Sequence, residues 1–430
     1  MTALTTPASS APPPSAPPSS APPRLYRVAD FRRLWIGDTA SQAGTAVTVL
    51  ALPIVAIGPL GASAFETGVL VMCEYLGFLL FGLPAGAWTD RMRRRRVMIV
   101  CDVGRAVLLA TLPAAAWLDV LSLPQLYAVA FGVSVCTVFF DIAYQTHLPR
   151  LVDADRLVEA NVALESTRTI TAAGGPGAGG ALIAAVTAPV ALLVDAVSFL
   201  VSALLLSRIR AADPRPRTRP AGGRLRKEIG EGLRFVFRTP ALRALTLAAA
   251  VSNLCGTVGA SMLLVLLSGE LGLSPFLCGL VFTAEAIGGF LGSLLTTRVA
   301  ARFGEWRAMT GSVVLSGTLW LLALPLLHAD WRFWAAVALQ GLGWTAFMPF
   351  RIGSVALRQR LCPEPLLGRV TATFRFVVWG CMPLGALVGG LLGEHAGVRT
   401  ALWAGALGEL LAVLPLLLLL RMRHGNPDER

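Results

Sequence analysis

Five arginines crowd one short turn between two apolar runs, and few folds can accommodate that pattern. The turn is Gly86-Ala87-Trp88-Thr89-Asp90-Arg91-Met92-Arg93-Arg94-Arg95-Arg96, and the runs cover about 67–88 and 97–118. A helix of about 20 apolar residues crosses the hydrocarbon core of a bilayer, so each run is long enough to span it. Two spanning helices joined by so basic a turn put that turn on the cytoplasmic side by the positive-inside rule. Every other segment can be counted from it.

Of the 430 residues 55% are hydrophobic and only 14% charged, and the mean hydropathy is +0.67. A soluble chain would carry roughly 25% charged residues, so this is a polytopic membrane protein with too many apolar spans for a secretory signal. A net charge of +12 would suggest nucleic acid in a soluble protein. Here the cations lie in loops, so topology and anionic lipid explain them and no nucleic-acid partner is expected. The one lysine is Lys227, and no G-K-[ST] phosphate loop exists. Seven cysteines are scattered without C-x-x-C, and His147, His328, His395 and His424 lie far apart. Neither set makes a disulfide framework or a metal site, and no cofactor or metal is expected.

Residues 1–23, nearly all Ala, Pro, Ser and Thr, cannot bury a core and read as a disordered cytoplasmic tail. Twelve spans follow, at about 32–57, 66–88, 97–118, 124–146, 160–187, 189–208, 241–268, 275–298, 308–328, 331–351, 368–393 and 398–420. The loops that alternate to the outside carry only Arg332 and Arg399 among their basic residues, while Arg105, Arg168 and Arg375 lie inside spans. Both termini are therefore expected in the cytoplasm of a multi-pass inner (cytoplasmic) membrane protein. The Pro/Arg-rich stretch 209–240 divides the chain into an N-terminal bundle over 24–208 and a C-terminal bundle over 241–420, with a tail at 421–430. Its later part has the spacing of an amphipathic helix. A weak repeat joins the halves. Arg168 precedes Pro176 by the distance at which Arg375 precedes Pro383, and glycine-rich helix follows each proline. The loop between Gly292 and Gly304 echoes the Gly86 loop, with Thr296 and Thr297 where the acid would be.

The turn G-x-x-x-D-R-x-x-R-R, formed by Gly86, Asp90, Arg91, Arg94 and Arg95, resembles the loop signature of the major facilitator superfamily; the family has a glycine where this chain has Arg93. Gly175-Pro176-Gly177-Ala178-Gly179-Gly180 resembles the span-five motif of that superfamily's proton-coupled drug antiporters. The flanks Phe31-Arg32-Arg33-Leu34-Trp35, Leu148-Pro149-Arg150-Leu151-Val152 and Asp195-Ala196-Val197-Ser198-Phe199-Leu200 are similar to the bacterial branch that includes enterobactin and macrolide exporters. The resemblance implies an all-α fold of twelve transmembrane helices in two six-helix bundles, working by alternating access. It implies a gating role for Gly86, Asp90, Arg91, Arg94, Arg95, Arg168 and Arg375, with Asp90 meeting the start of span eleven near Arg369. It implies an antiporter-type helix at Gly175, Pro176, Gly179 and Gly180. It also implies a cavity lined by spans one, four, seven and ten, with Gln42, Tyr144, Asn253, Gln340 and Trp344 as candidate contacts.

Ionisable side chains inside a span are costly and default to function. Asp102 with Arg105, and Glu165 with Arg168, stand three apart on one helix face, so each pair can neutralise itself. Asp195 and Glu409 fall in spans six and twelve, peripheral in the implied fold, and read as packing. Glu74 and Glu285 differ. Each lies roughly 14–15 Å into its span, at 1.5 Å per residue, with no basic residue within a turn. They and Asp38 are the proton-coupling candidates. No catalytic constellation is present, so no enzyme is expected. The expected activity is secondary efflux of amphiphilic small molecules, drugs and antibiotics among them, by proton antiport; the alternative cargo is a self-made siderophore or secondary metabolite. Its expected partners are that substrate, protons and membrane lipids, and it is expected to act as a monomer.

Overall fold

The computed structural model describes residues 25, 28–89, 91–148, 151–152, 156–211 and 224–424, and among them every regular element is a helix. The first half contains α1 (Ala29–Ile57), α2 (Ala64–Phe81), α3 (Pro84–Thr89), α4 (Arg94–Trp117), α5 (Leu123–His147), α6 (Leu157–Val186) and α7 (Ala188–Ser207). Helix α8 (Arg224–Arg238) lies in the connection. The second half contains α9 (Pro240–Leu264), α10 (Pro275–Phe303), α11 (Glu305–Ala323), α12 (Arg332–Leu361), α13 (Glu364–Gly380), α14 (Met382–Ala396), α15 (Val398–Leu411) and α16 (Val413–His424). Eleven stretches among the described residues are long and apolar enough to cross a membrane. The 30-residue α12 fills the twelfth place, packed against both α10 and α11.

The two halves are built alike. In the first, α1 packs on α6 and α7, α4 on α5 and α7, and α2 on α5. In the second, α9 packs on α14 and α15, α11 on α12 and α15, and α10 on α12. The pairings correspond one for one, as a parallel repeat requires.

Local chemistry sets the ends. Ser63 and Glu66 make a capping box on α2: the Ser63 hydroxyl accepts from Glu66 N at 3.3 Å, and the Glu66 carboxylate accepts from Ser63 N at 2.9 Å. One residue separates α6 from α7 and one separates α14 from α15, and both take the same extended left-handed conformation. Gly397 does so at φ 93°, whereas Thr187 does so at φ 98°. Three spans expected to be continuous are interrupted. The second breaks before Pro84, the eleventh at Cys381 two residues before Pro383, and the twelfth at Ala412. Proline supplies no N–H and crowds the preceding turn, which accounts for the first two.

The packed interior is asymmetric along the membrane normal. At the end away from the arginine-rich turn, one apolar cluster runs through both halves, with Leu50, Val55, Leu192 and Phe199 joined to Leu266, Val281, Phe333 and Ala401. At the basic end the halves have separate clusters. Phe31, Met98, Phe140 and Leu206 form one, and Leu245, Met309, Phe350 and Leu416 the other. The halves are therefore joined at one end and parted at the other.

Candidate transport pathway

Two seams close the joined end, and both are lined by glycine. Along the first, α6 meets α10: a Cβ on Gly180 would lie 2.3 Å from the Pro275 carbonyl oxygen, and one on Gly279 would lie 2.3 Å from that of Pro176. Gly177 N–H donates across it to the Thr283 hydroxyl at 3.1 Å. Along the second, α2 meets α14: a Cβ on Gly68 would lie 2.8 Å from the Ala386 carbonyl oxygen, and one on Gly390 would lie 3.0 Å from the Gly68 Cα. Only residues without side chains let helix backbones approach so closely. The Glu394 carboxylate of α14 also accepts from the Phe65 N–H in the first turn of α2, at 3.1 Å.

These contacts expose a repeat more precise than the Arg–Pro echo. Phe65, Gly68, Glu74 and Gly77 of α2 match Phe276, Gly279, Glu285 and Gly288 of α10 at one constant spacing. At that same spacing Ser134 of α5 matches Thr345 of α12. The Ser134 hydroxyl accepts from Gly77 N at 3.2 Å, and the Thr345 hydroxyl donates to the Gly288 carbonyl at 3.0 Å. Glu74 and Glu285 are thus equivalent by packing as well as by helix number. The same seams correct one expectation. Pro176 corresponds to Ala386 rather than to Pro383, since the break at Cys381 shifts the register of the eleventh span.

Both glutamates are half-buried. Among the described residues Glu74 has no hydrogen-bonding or ionic partner, whereas the Glu285 carboxyl faces the Trp344 indole. Trp344 packs in turn on Trp320 and Phe347, with ring centroids 6.0 and 5.9 Å away. Asp38 is buried beside Gln42, within electrostatic reach of Arg168 and Asp141. Tyr144 feels the same three charges, and Asp141 also feels Arg375 from the other half. A mixed-charge zone therefore lies where the halves part. Of its members, Asp141 is one of the ionisable residues that the sequence places inside a span, whereas the exposed Arg351, which feels Glu165 and Arg168, was not singled out. Among the described residues no three His, Cys, Asp or Glu side chains gather as a metal site would need.

The sequence profile of the transmembrane secretion effector family, a major facilitator family, matches residues 20–429. The chain belongs to that family. Among curated relatives, the multidrug efflux pump Tap of Mycolicibacterium fortuitum is 29% identical over 404 residues, covering 89% of this chain and 93% of the pump. Macrolide efflux protein A of Streptococcus pyogenes is 22% identical over 378 residues, covering 86% and 90%. Among solved structures, a bacterial homologue of the iron transporter ferroportin in its inward-facing state superposes with a TM-score of 0.74 at 18% identity, covering 91% of this chain and 99% of that one. In its outward-facing state the TM-score is 0.58, at the same identity and coverage.

In this transporter the expected gating residues divide into groups. Asp90 lies outside the described residues. Gly86 has open space around it. The Arg94 guanidinium donates to the Thr146 carbonyl at the end of α5, at 3.1 Å, and Arg95 donates to the Leu206 carbonyl at the end of α7, at 2.9 Å. Both tie helix C-termini within their own half, where the helix dipole favours a cation. Arg168 and Arg375 stand exposed on α6 and α13. Arg369 is engaged by Glu231 of α8, across from Gly232, whose missing side chain lets α8 lie against the Arg369 carbonyl.

The intramembrane ion pairs also divide. Asp102 and Arg105 form a buried pair, with the guanidinium 4.5 Å from the Phe140 ring centroid and 4.1 Å from that of Phe199. Glu165 and Arg168 do not pair with each other and are exposed where the halves part. Asp195 accepts from the Thr48 hydroxyl at 2.5 Å and Glu409 from the Ser252 hydroxyl at 2.6 Å, each inside its own half. Of the cavity candidates, Asn253 spends its amide on the Val378 carbonyl at 3.2 Å, holding α9 to α13, and Gln340 is half-buried. Gly175 and Gly179 approach Ala46 and Val47 of α1, so they serve packing within the half rather than the seam.

Proposed function

We propose that this transporter is a proton-coupled exporter of amphiphilic small molecules, drugs and antibiotics among them. It works in the cytoplasmic membrane with both termini and the basic end on the cytoplasmic side. The observation that carries the reading is the pair of repeat-equivalent carboxyls, Glu74 and Glu285, on the two helices that also form the seams. A carboxyl in low dielectric exchanges its proton readily only if no cation holds it ionised, and neither has one among the described residues. Loading and release can then follow the movement of the seam helices. The aromatic wall of Trp320, Trp344 and Phe347 beside Glu285 suits a bulky apolar cargo with a polar end. The efflux pumps to which the chain is similar along most of its length support the same reading.

The test uses the full chain expressed in a bacterium stripped of its own efflux pumps. A drug-susceptibility panel should show raised tolerance to several amphiphilic compounds, and a compound so identified should evoke proton release from purified protein. Glu74→Gln or Glu285→Gln keeps the shape of the side chain and removes the ionisable proton. At least one should abolish that release while the compound still binds. Normal release from both variants would move coupling to Asp38. Absence of any tolerance phenotype would refute drug export.

A further inference from the structure

The arginine-rich turn does two jobs with different residues. Arg94 and Arg95 are turned inward onto the ends of α5 and α7. Arg91, Arg93 and Arg96 have no hydrogen-bonding or ionic partner among the described residues, and they line a groove of about 500 Å³ together with Met92, Val97, Val100, Cys101 and Phe139. The groove is thus cationic at one end and apolar along its wall. Val100 is 69% exposed, and the exposed row continues along the same helix through Val103 and Val107, away from the arginines. The three valines stand three and four apart, on one face of a transmembrane helix, and that face is open to the bilayer. That helix is α4, whose N-cap residue Arg93 provides no side-chain cap, so its first N–H groups add to the positive potential.

We propose that this groove binds an anionic phospholipid. Arg91, Arg93 and Arg96 hold the phosphate, and an acyl chain follows Val100, Val103 and Val107. Charge complementarity selects the headgroup: planar guanidinium groups pair with phosphate oxygens in bidentate fashion. The geometry selects a lipid over a soluble anion, because the apolar row starts where the arginines end and runs toward the bilayer centre. The proposal rests on the chain spanning a membrane and is independent of proton coupling and of cargo.

The test is native mass spectrometry of the full detergent-solubilised chain with phosphatidylglycerol, phosphatidylcholine or glycerol 3-phosphate as probe. One phosphatidylglycerol should stay bound under activation that strips phosphatidylcholine, and millimolar glycerol 3-phosphate should not displace it. Each of Arg91→Gln, Arg93→Gln and Arg96→Gln should weaken binding roughly fivefold, the equivalent of ~1 kcal/mol per arginine near an anionic surface. Val100→Asn, which leaves every arginine in place, should weaken lipid binding as well and keeps the test open should an arginine variant fail to fold. Equal retention of both lipids, or unchanged phosphatidylglycerol binding in all four variants, would overturn the proposal. Full displacement by glycerol 3-phosphate would overturn it in favour of a plain anion site.

Discussion

Replacing Gly180 by alanine should shift the transporter toward the state opened at the joined end, with little loss of fold. The added Cβ would sit 2.3 Å from the Pro275 carbonyl oxygen and 3.0 Å from the Phe276 Cα, both backbone atoms that cannot swing aside. Ordinary carbon–oxygen approach is about 3.3 Å or more, so α6 and α10 must separate by roughly 1 Å. Overpacking of this kind costs about 1–3 kcal/mol. The contact exists only while the halves meet at that end, so the cost falls on one state and moves the equilibrium roughly 5- to 150-fold. Gly279→Ala, 2.3 Å from the Pro176 carbonyl, should act alike. Gly175→Ala is the control: its Cβ would meet the Ala46 Cβ at 2.4 Å inside one half, so both states lose stability together. Spin labels at Leu118 and Trp331, exposed at the joined ends of the two halves, would report the change as a longer distance component. An unchanged distance distribution in both Gly180→Ala and Gly279→Ala would refute the reasoning, because the seams would then have slack that an added Cβ 2.3 Å from a backbone carbonyl oxygen should not find.

Other consequences follow from single contacts. Glu394→Gln removes the charge that the first turn of α2 holds at 3.1 Å, so a cysteine placed beneath the seam should label faster from the joined end; unchanged labelling would mean the contact is incidental. Asp102→Asn strands Arg105 between two aromatic rings and should destabilise the detergent-solubilised protein by about 3–5 kcal/mol, read as a lowered melting temperature. Thr187→Gly should raise that temperature, since a non-glycine residue at φ 98° stores roughly 1–3 kcal/mol and the equivalent turn already uses Gly397.

Much of this architecture can be read from the chain alone, for identifiable reasons. Span length and arginine placement follow from one-dimensional physics, so the spans and the two-half arrangement are visible without packing. Glu74 and Glu285 stand out because an isolated acid in an apolar run has no cheap alternative. The seam is different. The glycine-rich stretch of α6 presents glycines to two neighbours, and sequence does not say that Gly177 and Gly180 meet α10 while Gly175 and Gly179 meet α1. The matched Phe65, Gly68, Glu74, Gly77 and Phe276, Gly279, Glu285, Gly288 are in the sequence, but they gain meaning only once the packing selects that register. Nor could Arg369 be assigned to Glu231, since the partner sits in a helix on the far side of the inter-half connection.

The position of the carboxyls relative to the seams suggests why closure and proton traffic should be linked. Glu74 and Glu285 each follow a seam glycine, Gly68 or Gly279, by six residues on the same rigid helix, a rise of about 9 Å. A seam made of backbone against backbone gains only dispersion and weak C–H···O attraction, so two such seams can part without exposing large apolar side chains. A leucine-packed closure would hold one state too firmly to cycle, because a transporter needs its states within a few kcal/mol of each other. With closure so finely balanced, the modest cost of an ionised carboxylate just below the seam is comparable to the free energy that separates the states. Neutralising that carboxyl can then decide which end stays shut.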